Sequence, residues 1–517
     1  MLNFLRKHQE IIISGAFFLV LLIVGIMIYR DFGITWDTPV QQQLGELNYR
    51  FIFLKDPALL NYVNRYYGPL FELFLYIMTR GLAVRELNFM QHLLTFLSFY
   101  AGTLAFYFLS KKIFKDWRLG LAGCVMLVLS PRIFSDSFYN TKDIPFLAAF
   151  ILAILTLVWV SEHPTWFRFL IHALASAICV AFRLQGVLIL ALTAAFIGIT
   201  FFKETSKSNR LRIVWSAGLY LLITLAFVVL FFPVLWTDPL GGLVNGLKEM
   251  GNFPWSGGSV LYRGLLVDAT NLPWHYVPVW IVITTPLVIS VFFVIGIGSQ
   301  IWSMMRKPRE LFMTQSSFLL ALLWLLAPVL AVILLHSTLY DSWRHMFFIY
   351  PAYVLIALYG LNSMLHLNVK PSLKKHFIAV VWLGLAVGLA FPLSFMIRYH
   401  PHENVYFNRL AGSDYETIKE HYEMDYWGLG YYQALEYIVT NDPRPQIKVI
   451  YDNYPVKANA TILNPEDGMR LKFVGKDVTD ADYFITNFRW HPQEYDYPLF
   501  YSINVEGASI ITVYKLN

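Results

Sequence analysis

Apolar runs of about 17–25 residues, the length that crosses a ~30 Å hydrocarbon core, recur along this chain until about Ile397. They fall near 10–29, 88–110, 119–131, 144–160, 169–182, 187–202, 213–233, 276–302, 311–335, 345–366 and 377–397, about eleven in all, those at 119–131 and 169–182 being shorter than the rest. No water-soluble fold has a use for such a series. The composition agrees: 57% of residues are hydrophobic and only 14% are charged, too few to keep the surface of a 517-residue soluble protein wet. The fold class expected is an α-helical polytopic membrane protein. The net charge of +6 comes without a long basic cluster interleaved with aromatics, so nucleic acid is not an expected partner.

Charge placement orients the spans. Arg6 and Lys7 precede the first run, and Tyr29-Arg30-Asp31 supplies no small-residue cleavage site, so an uncleaved first helix with a cytoplasmic N-terminus is expected. Alternating from there gathers Lys111, Lys112, Lys115, Arg118, Lys203, Lys207, Arg210, Arg212, Arg306, Lys307, Arg309, Lys370, Lys374 and Lys375 on the cytoplasmic side. The opposite side receives the segments 31–87, 130–143, 183–186, 236–274 and 336–345, and everything after Arg398. The piece 68–82, interrupted by Glu72 and Arg80, reads as interfacial or re-entrant. Residues 1–397 thus form the membrane module. Residues 398–517 turn more polar, with β-rich pieces "IKVIYD", "RLKFVG", "DYFITN" and "SIITVYK" around a helical stretch at 431–439, and read as a small extracytoplasmic α/β domain. Cys124 and Cys179 sit in apolar runs without the spacing of a metal or redox pair.

The unusual polar residues collect on the outer side, where ionisable groups at helix ends suggest a site. "GITWDTPVQQQLGE" carries Asp37 and Glu46. "SPRIFSDSFYNTKDIP" carries Arg132, Asp136, Lys142 and Asp143. "FRLQG" carries Arg183 and Gln185, and "HSTLYDSWRH" carries His336, Tyr340, Asp341, Arg344 and His345. Asp37, beside Trp36 and a few residues past the first span, is the expected general base, a partly desolvated carboxylate with raised proton affinity. Glu46 is a secondary candidate. Lys142, Arg183 and Arg344, with His345, suit binding of an anion such as phosphate; Tyr340 and Asp341 lie in the same loop. Asp136 and Asp143 leave room for a divalent cation, although no His or Cys spacing supports a metal site. Tyr66, Tyr67, Trp255 and Trp274 suit either sugar stacking or an interfacial belt.

The order of these motifs, together with "HPHENVYFNRLAG" and "DYWGLGYYQALEYI" near the C-terminus, resembles the bacterial membrane glycosyltransferases of family 39. These are relatives of the protein O-mannosyltransferases and the lipid A aminoarabinose transferases, with the GT-C fold. The resemblance implies an inner-membrane enzyme of the cell envelope that moves a sugar from a polyprenyl-phosphate carrier to an acceptor glycan, lipid or protein. It also implies Asp37 as the base, and nothing in the sequence itself demands a soluble cofactor. The family often has an Asp-Glu pair where this chain has Asp37-Thr38. Two rival classes remain on the residues alone: a transporter or flippase of lipid-linked sugars, and a non-catalytic scaffold for envelope assembly.

Overall fold

The computed structural model describes residues 2–251, 253, 255, 257–306 and 316–517, with side chains from residue 8 onward. Lys307, Arg309, the start of the 311–335 run and the side chains of Arg6 and Lys7 lie outside the described residues. Among the described residues nine helices are long and apolar enough to cross a membrane, and a bent pair would make a tenth. The chain is a multi-pass membrane protein.

Each expected run holds a helix, with three departures in shape. The 119–131 run is the helix Trp117–Val128, which continues after a 71° bend as Pro131–Tyr139. Pro131 supplies the break, since proline starts a new helix more readily than it continues one. The 276–302 run is two helices, Tyr276–Thr284 and Leu287–Arg306, separated at Thr285-Pro286 for the same reason. The 169–182 run is the 17-residue helix Trp166–Phe182, at the short limit for a span.

Two helices form the centre of the bundle. Asp143–Glu162 buries 78% of its apolar window and Arg344–Leu365 buries 72%, against 22% for His8–Ile28 at the periphery. Tyr350–Leu365 meets Leu287–Arg306 backbone to backbone: a Cβ on Gly296 would strike the Ile356 carbonyl, and one on Gly360 the Phe292 carbonyl. Small residues permit this approach where lipid offers no hydrophobic drive. At one end Lys111 pairs with Glu10, and Lys112 with Glu162 at 2.5 Å, which brings three helix ends together.

At the other end lie the helices Thr38–Leu54 and Pro69–Thr79 and a hairpin of β1 (Ser259–Tyr262) and β2 (Leu265–Asp268). The C-terminal region adds β3 (Ile447–Tyr451), β4 (Leu471–Val474), β5 (Tyr483–Thr486), β6 (Leu499–Val505) and β7 (Ala508–Lys515). They form one mixed sheet in the order β4-β3-β5-β7-β6, with β3 parallel to both neighbours and β7 antiparallel to both of its own. The helix Tyr431–Asn441 packs on it through buried Ala434, Leu435 and Ile438.

This region is fastened to the membrane module by side chains that act on backbone. Asn459 accepts from the Ile34 amide at 2.8 Å and donates to the Ile34 carbonyl at 2.9 Å, as a neighbouring strand would. Asn408 donates to the carbonyls of Val282 and Thr285 at 2.6 and 2.7 Å, satisfying groups freed where the helix breaks before Pro286. His400 and Asp31 meet at 2.9 Å, so the end of the last span lies beside the end of the first.

Candidate active site

Asp37 is the residue from which the helix Thr38–Leu54 starts, and Pro39 in the first turn sacrifices no hydrogen bond there. Its side chain is not spent on capping that helix; about a quarter exposed (26%), it faces two cations. Lys142 Nζ donates to Asp37 Oδ2 at 2.8 Å, and Arg344 Nη1 lies 3.1 Å from the same oxygen. Lys142 immediately precedes the central helix Asp143–Glu162, and Arg344 begins the turn that leads into Tyr350–Leu365. The two most buried helices therefore each present a cation at their mouths.

The remaining carboxylates hold those cations in place. Arg344 is fully buried; its Nη1 also reaches Asp143 Oδ2 at 3.2 Å, while Nε and Nη2 donate to Asp341 Oδ2 at 3.2 and 2.9 Å. Its guanidinium stacks on Trp427 at 4.5 Å and lies 5.0 Å from the Tyr340 ring. Arg183, at the end of the helix Trp166–Phe182, pairs with Asp143 and donates to Gln185 at 2.9 Å. Three cations thus face three carboxylates: Lys142, Arg183 and Arg344 against Asp37, Asp143 and Asp341. Asp341 and Ser342 both occupy the left-handed backbone region, at φ of 56° and 61°, a strained turn that aims Asp341 at Arg344.

The proton affinity of Asp37 runs opposite to the sequence expectation. Burial pushes its carboxyl up, but Lys142, Arg344 and Arg183 outweigh burial and hold it well below the usual carboxylate range. The expectation of a raised value considered these cations only as ligands for a substrate, whereas at rest they belong to Asp37. Burial brings Lys142 down to about 8, Asp37 opposing that fall and the two arginines adding to it.

A cavity of about 220 Å³ opens beside this cluster. Its lining brings Lys142, Arg183, His345, Tyr67 and Tyr340 together with apolar Leu188, Leu247, Met250, Val332 and Leu335. His345 packs edge-on to Tyr340, 4.6 Å between ring centroids, and its buried Nδ1 has no hydrogen-bond partner among the described residues. Gly68 forms part of the wall because nothing larger fits: a Cβ there would meet the Phe182 carbonyl and the Arg183 amide. Gly68→Ala is expected to displace Arg183 and lower the thermal stability of the protein, checked by thermal unfolding in detergent.

The other sequence candidates fall in distinct places. Asp136 accepts from Tyr139 and Asn140, both at 2.8 Å, and from Trp427 at 3.3 Å. Asn140 also donates to Asp143 at 3.0 Å, so one amide bridges the two carboxylates proposed for a cation. Among the described residues no group of three or more His, Cys, Asp and Glu side chains has the geometry to hold a metal. Glu46 turns away and pairs with Arg50 at 3.3 Å on a half-exposed helix face. Glu46→Gln is expected to leave the unfolding temperature nearly unchanged, since exposed pairs of this kind contribute little. Tyr66 and Tyr67 line the cavity, Trp255 stacks on Tyr340 at 4.4 Å, and Trp274 is exposed.

Two participants were not anticipated. Glu72, buried in the helix Pro69–Thr79, accepts from the Thr141 hydroxyl at 2.7 Å, next to Lys142; its signal was a carboxylate inside an apolar piece. Arg489, in the C-terminal region, pairs with Asp341, and the only hint in sequence is a cation beside Trp490 after a strand.

No protein-family model and no curated protein matches this chain. Among solved structures it is similar to ArnT from Cupriavidus metallidurans bound to undecaprenyl phosphate, with 12% identity over 98% of each chain and a TM-score of 0.47. The apo state of that protein gives 13% identity over 97% of this chain and 98% of that one, with a TM-score of 0.49. The archaeal oligosaccharyltransferase AglB from Archaeoglobus fulgidus, in complex with an inhibitory peptide and a dolichol-phosphate, gives 11% identity over 92% of this chain and 70% of that one, at 0.44. Likeness at this level assigns no activity, and the function is read from the chain's own residues.

Proposed function

We propose that this protein is a membrane glycosyltransferase that moves a sugar from a polyprenyl-phosphate donor to an acceptor hydroxyl at the extracytoplasmic face. The observation that carries the reading is the cavity, whose mainly apolar lining also holds Lys142, Arg183 and His345, with Asp37 held at 2.8 Å from Lys142. An isoprenoid tail and a phosphate suit that pairing of apolar walls with cations. In the reaction the acceptor oxygen attacks the anomeric carbon and its proton passes to Asp37. The bond from that carbon to the phosphate oxygen breaks, and polyprenyl phosphate leaves with the electron pair, one negative charge richer than in the donor. Attack opposite the leaving group inverts the anomeric centre.

Charge accounting favours Asp37 and the cations as one device. At rest Lys142 and Arg344 neutralise Asp37 and depress its basicity. A donor phosphate competes for the same cations, and each contact it takes returns proton affinity to Asp37. The base is thus strengthened where and when the leaving group is bound. As the proton arrives on Asp37 its charge disappears, and the cations it held are free to offset the charge gained by the departing phosphate. This scheme requires no soluble cofactor, and the C-terminal region lies outside the membrane with the site.

The direct test is release of polyprenyl phosphate from a panel of radiolabelled polyprenyl-phosphate sugars by purified protein in lipid, with a membrane extract as acceptor source. Acceptor-dependent release is expected from at least one donor. Movement of intact donor across the bilayer without release would favour a flippase instead. A Lys lowered to about 8 is charged below that value and neutral above it, so the donor KM is expected to rise as pH passes through about 8, read from initial rates. A KM that stays flat from pH 7 to 9 would remove Lys142 from phosphate binding.

A further inference from the structure

Arg489 belongs to the loop after β5, yet its side chain, 4% exposed, reaches the charge cluster of the membrane module. Nη1 donates to the Tyr426 carbonyl at 2.9 Å, and Nη2 pairs with Asp341 Oδ1. The other oxygen of Asp341 is the one that holds Arg344, through Nε and Nη2. One carboxylate is therefore shared by two buried guanidiniums, and the second of them faces Asp37. The Arg489 guanidinium is further confined by three indoles, Trp490 at 4.6 Å, Trp36 at 5.3 Å and Trp255 at 5.7 Å. Trp36 precedes Asp37 in the chain, and Trp255 stacks on Tyr340.

A carboxylate that serves two cations holds each less tightly than a carboxylate that serves one. Arg344 stands between Asp341 on one side and Asp37 with Asp143 on the other, at 2.9, 3.1 and 3.2 Å. Whatever weakens the hold of Asp341 leaves Nη1 of Arg344 freer to serve Asp37 or a phosphate. We propose that Arg489 is a positioning residue for the transfer reaction: by sharing Asp341 it sets the balance of Arg344 between its carboxylate anchor and the reacting groups. The C-terminal region thereby supplies part of the machinery through one side chain. This inference rests on the glycosyltransferase reading above.

A double-mutant cycle on full-length protein in lipid tests it, with kcat, KM and polyprenyl-phosphate binding measured for Arg489→Gln, Asp341→Asn and the pair. Arg489→Gln is expected to lower kcat about tenfold, within the range for residues in one ion-pair network. In the Asp341→Asn background the same substitution is expected to cost nothing further, because the carboxylate through which it acts is gone. Arg489→Lys keeps a charge for Asp341 and is expected to restore most of kcat; it also serves if Arg489→Gln fails to fold. An equal loss from Arg489→Gln in both backgrounds would overturn the proposal, as would a change confined to folded yield and Tm. Wild-type protein that neither binds nor releases polyprenyl phosphate would overturn the glycosyltransferase reading and this inference with it. An active wild type alongside an unimpaired Arg489→Gln would overturn this inference alone.

Discussion

Asp37→Asn is expected to lower transfer by about a hundred- to ten-thousandfold, the usual cost of losing a positioned general base, while binding of polyprenyl phosphate becomes tighter. The two effects have one origin. Asn is close to Asp in size and keeps the helix start, so insertion and folding should be preserved. It cannot take the acceptor proton, which removes the chemical step. It also removes the carboxylate that occupies Lys142 and Arg344 at rest, leaving both cations to the phosphate. Rate and affinity moving in opposite directions distinguish a base from a structural aspartate, whose loss would weaken both. The measurement is single-turnover release alongside equilibrium binding of the lipid phosphate. The depressed proton affinity adds a pH signature. A carboxylate lowered in the folded protein stays ionised above the ordinary Asp value of about 3.9 and is lost only as pH falls through its lowered value, so Asp37 places no acid limb on donor binding to free enzyme above about pH 4.

Arg344→Gln is expected to abolish transfer and to destabilise the protein by about 3–5 kcal/mol, the cost of removing one partner from buried ion pairs. Arg344 is fully buried and reaches Asp37, Asp143 and Asp341 at once. Asp143 keeps Arg183 and Asp341 keeps Arg489, so these carboxylates are not left wholly unpaired and the fold should survive. Arg344→Lys should fall between, because a single ammonium cannot span Asp341 and Asp37 together. Thermal unfolding in detergent beside the release assay would separate the two losses. Full stability with full activity in Arg344→Gln would exclude the cluster as the site.

The helices were legible because lipid demands one thing of a spanning segment, a long enough apolar run, and the sequence states it openly. Their shape was less so. Hydropathy averages across Thr285-Pro286 and conceals a break that Pro286 itself signals. The stretch after Val128 looked like a loop because Arg132, Asp136 and their neighbours are polar, yet Pro131–Tyr139 is a buried helix whose polar groups find partners inside the protein. At the site, residue type and topology were enough to assemble Asp37, Lys142, Arg183 and Arg344 as candidates, since each closes or opens an element at the same end of the bundle. What they do to one another was not legible. The proton affinity of Asp37 depends on distances of about 3 Å between residues a hundred or more positions apart, and no local pattern encodes them. Arg489 was invisible for the same reason: nothing near "TNFRWHP" announces a partner at Asp341.

The clasp of Asn459 on Ile34 bears on how the protein is made. Ile34 lies three residues before Asp37, and Asn459 is more than four hundred residues later in the chain. A nascent chain inserts its first helix early and exposes the segment carrying Asp37 long before the residues that will hold it exist. Gly33 faces the Leu429 carbonyl and the Asn459 side chain so closely that no larger residue would fit, so final docking is a backbone event with little tolerance. The protein should therefore be inserted well before it is competent, and a chain stopped after its last span should reach the membrane intact but silent. On the proposed reading, biosynthesis then acts as a safeguard: a half-made protein would leave lipid carriers untouched, because the segment that carries Asp37 docks on residues some four hundred positions later.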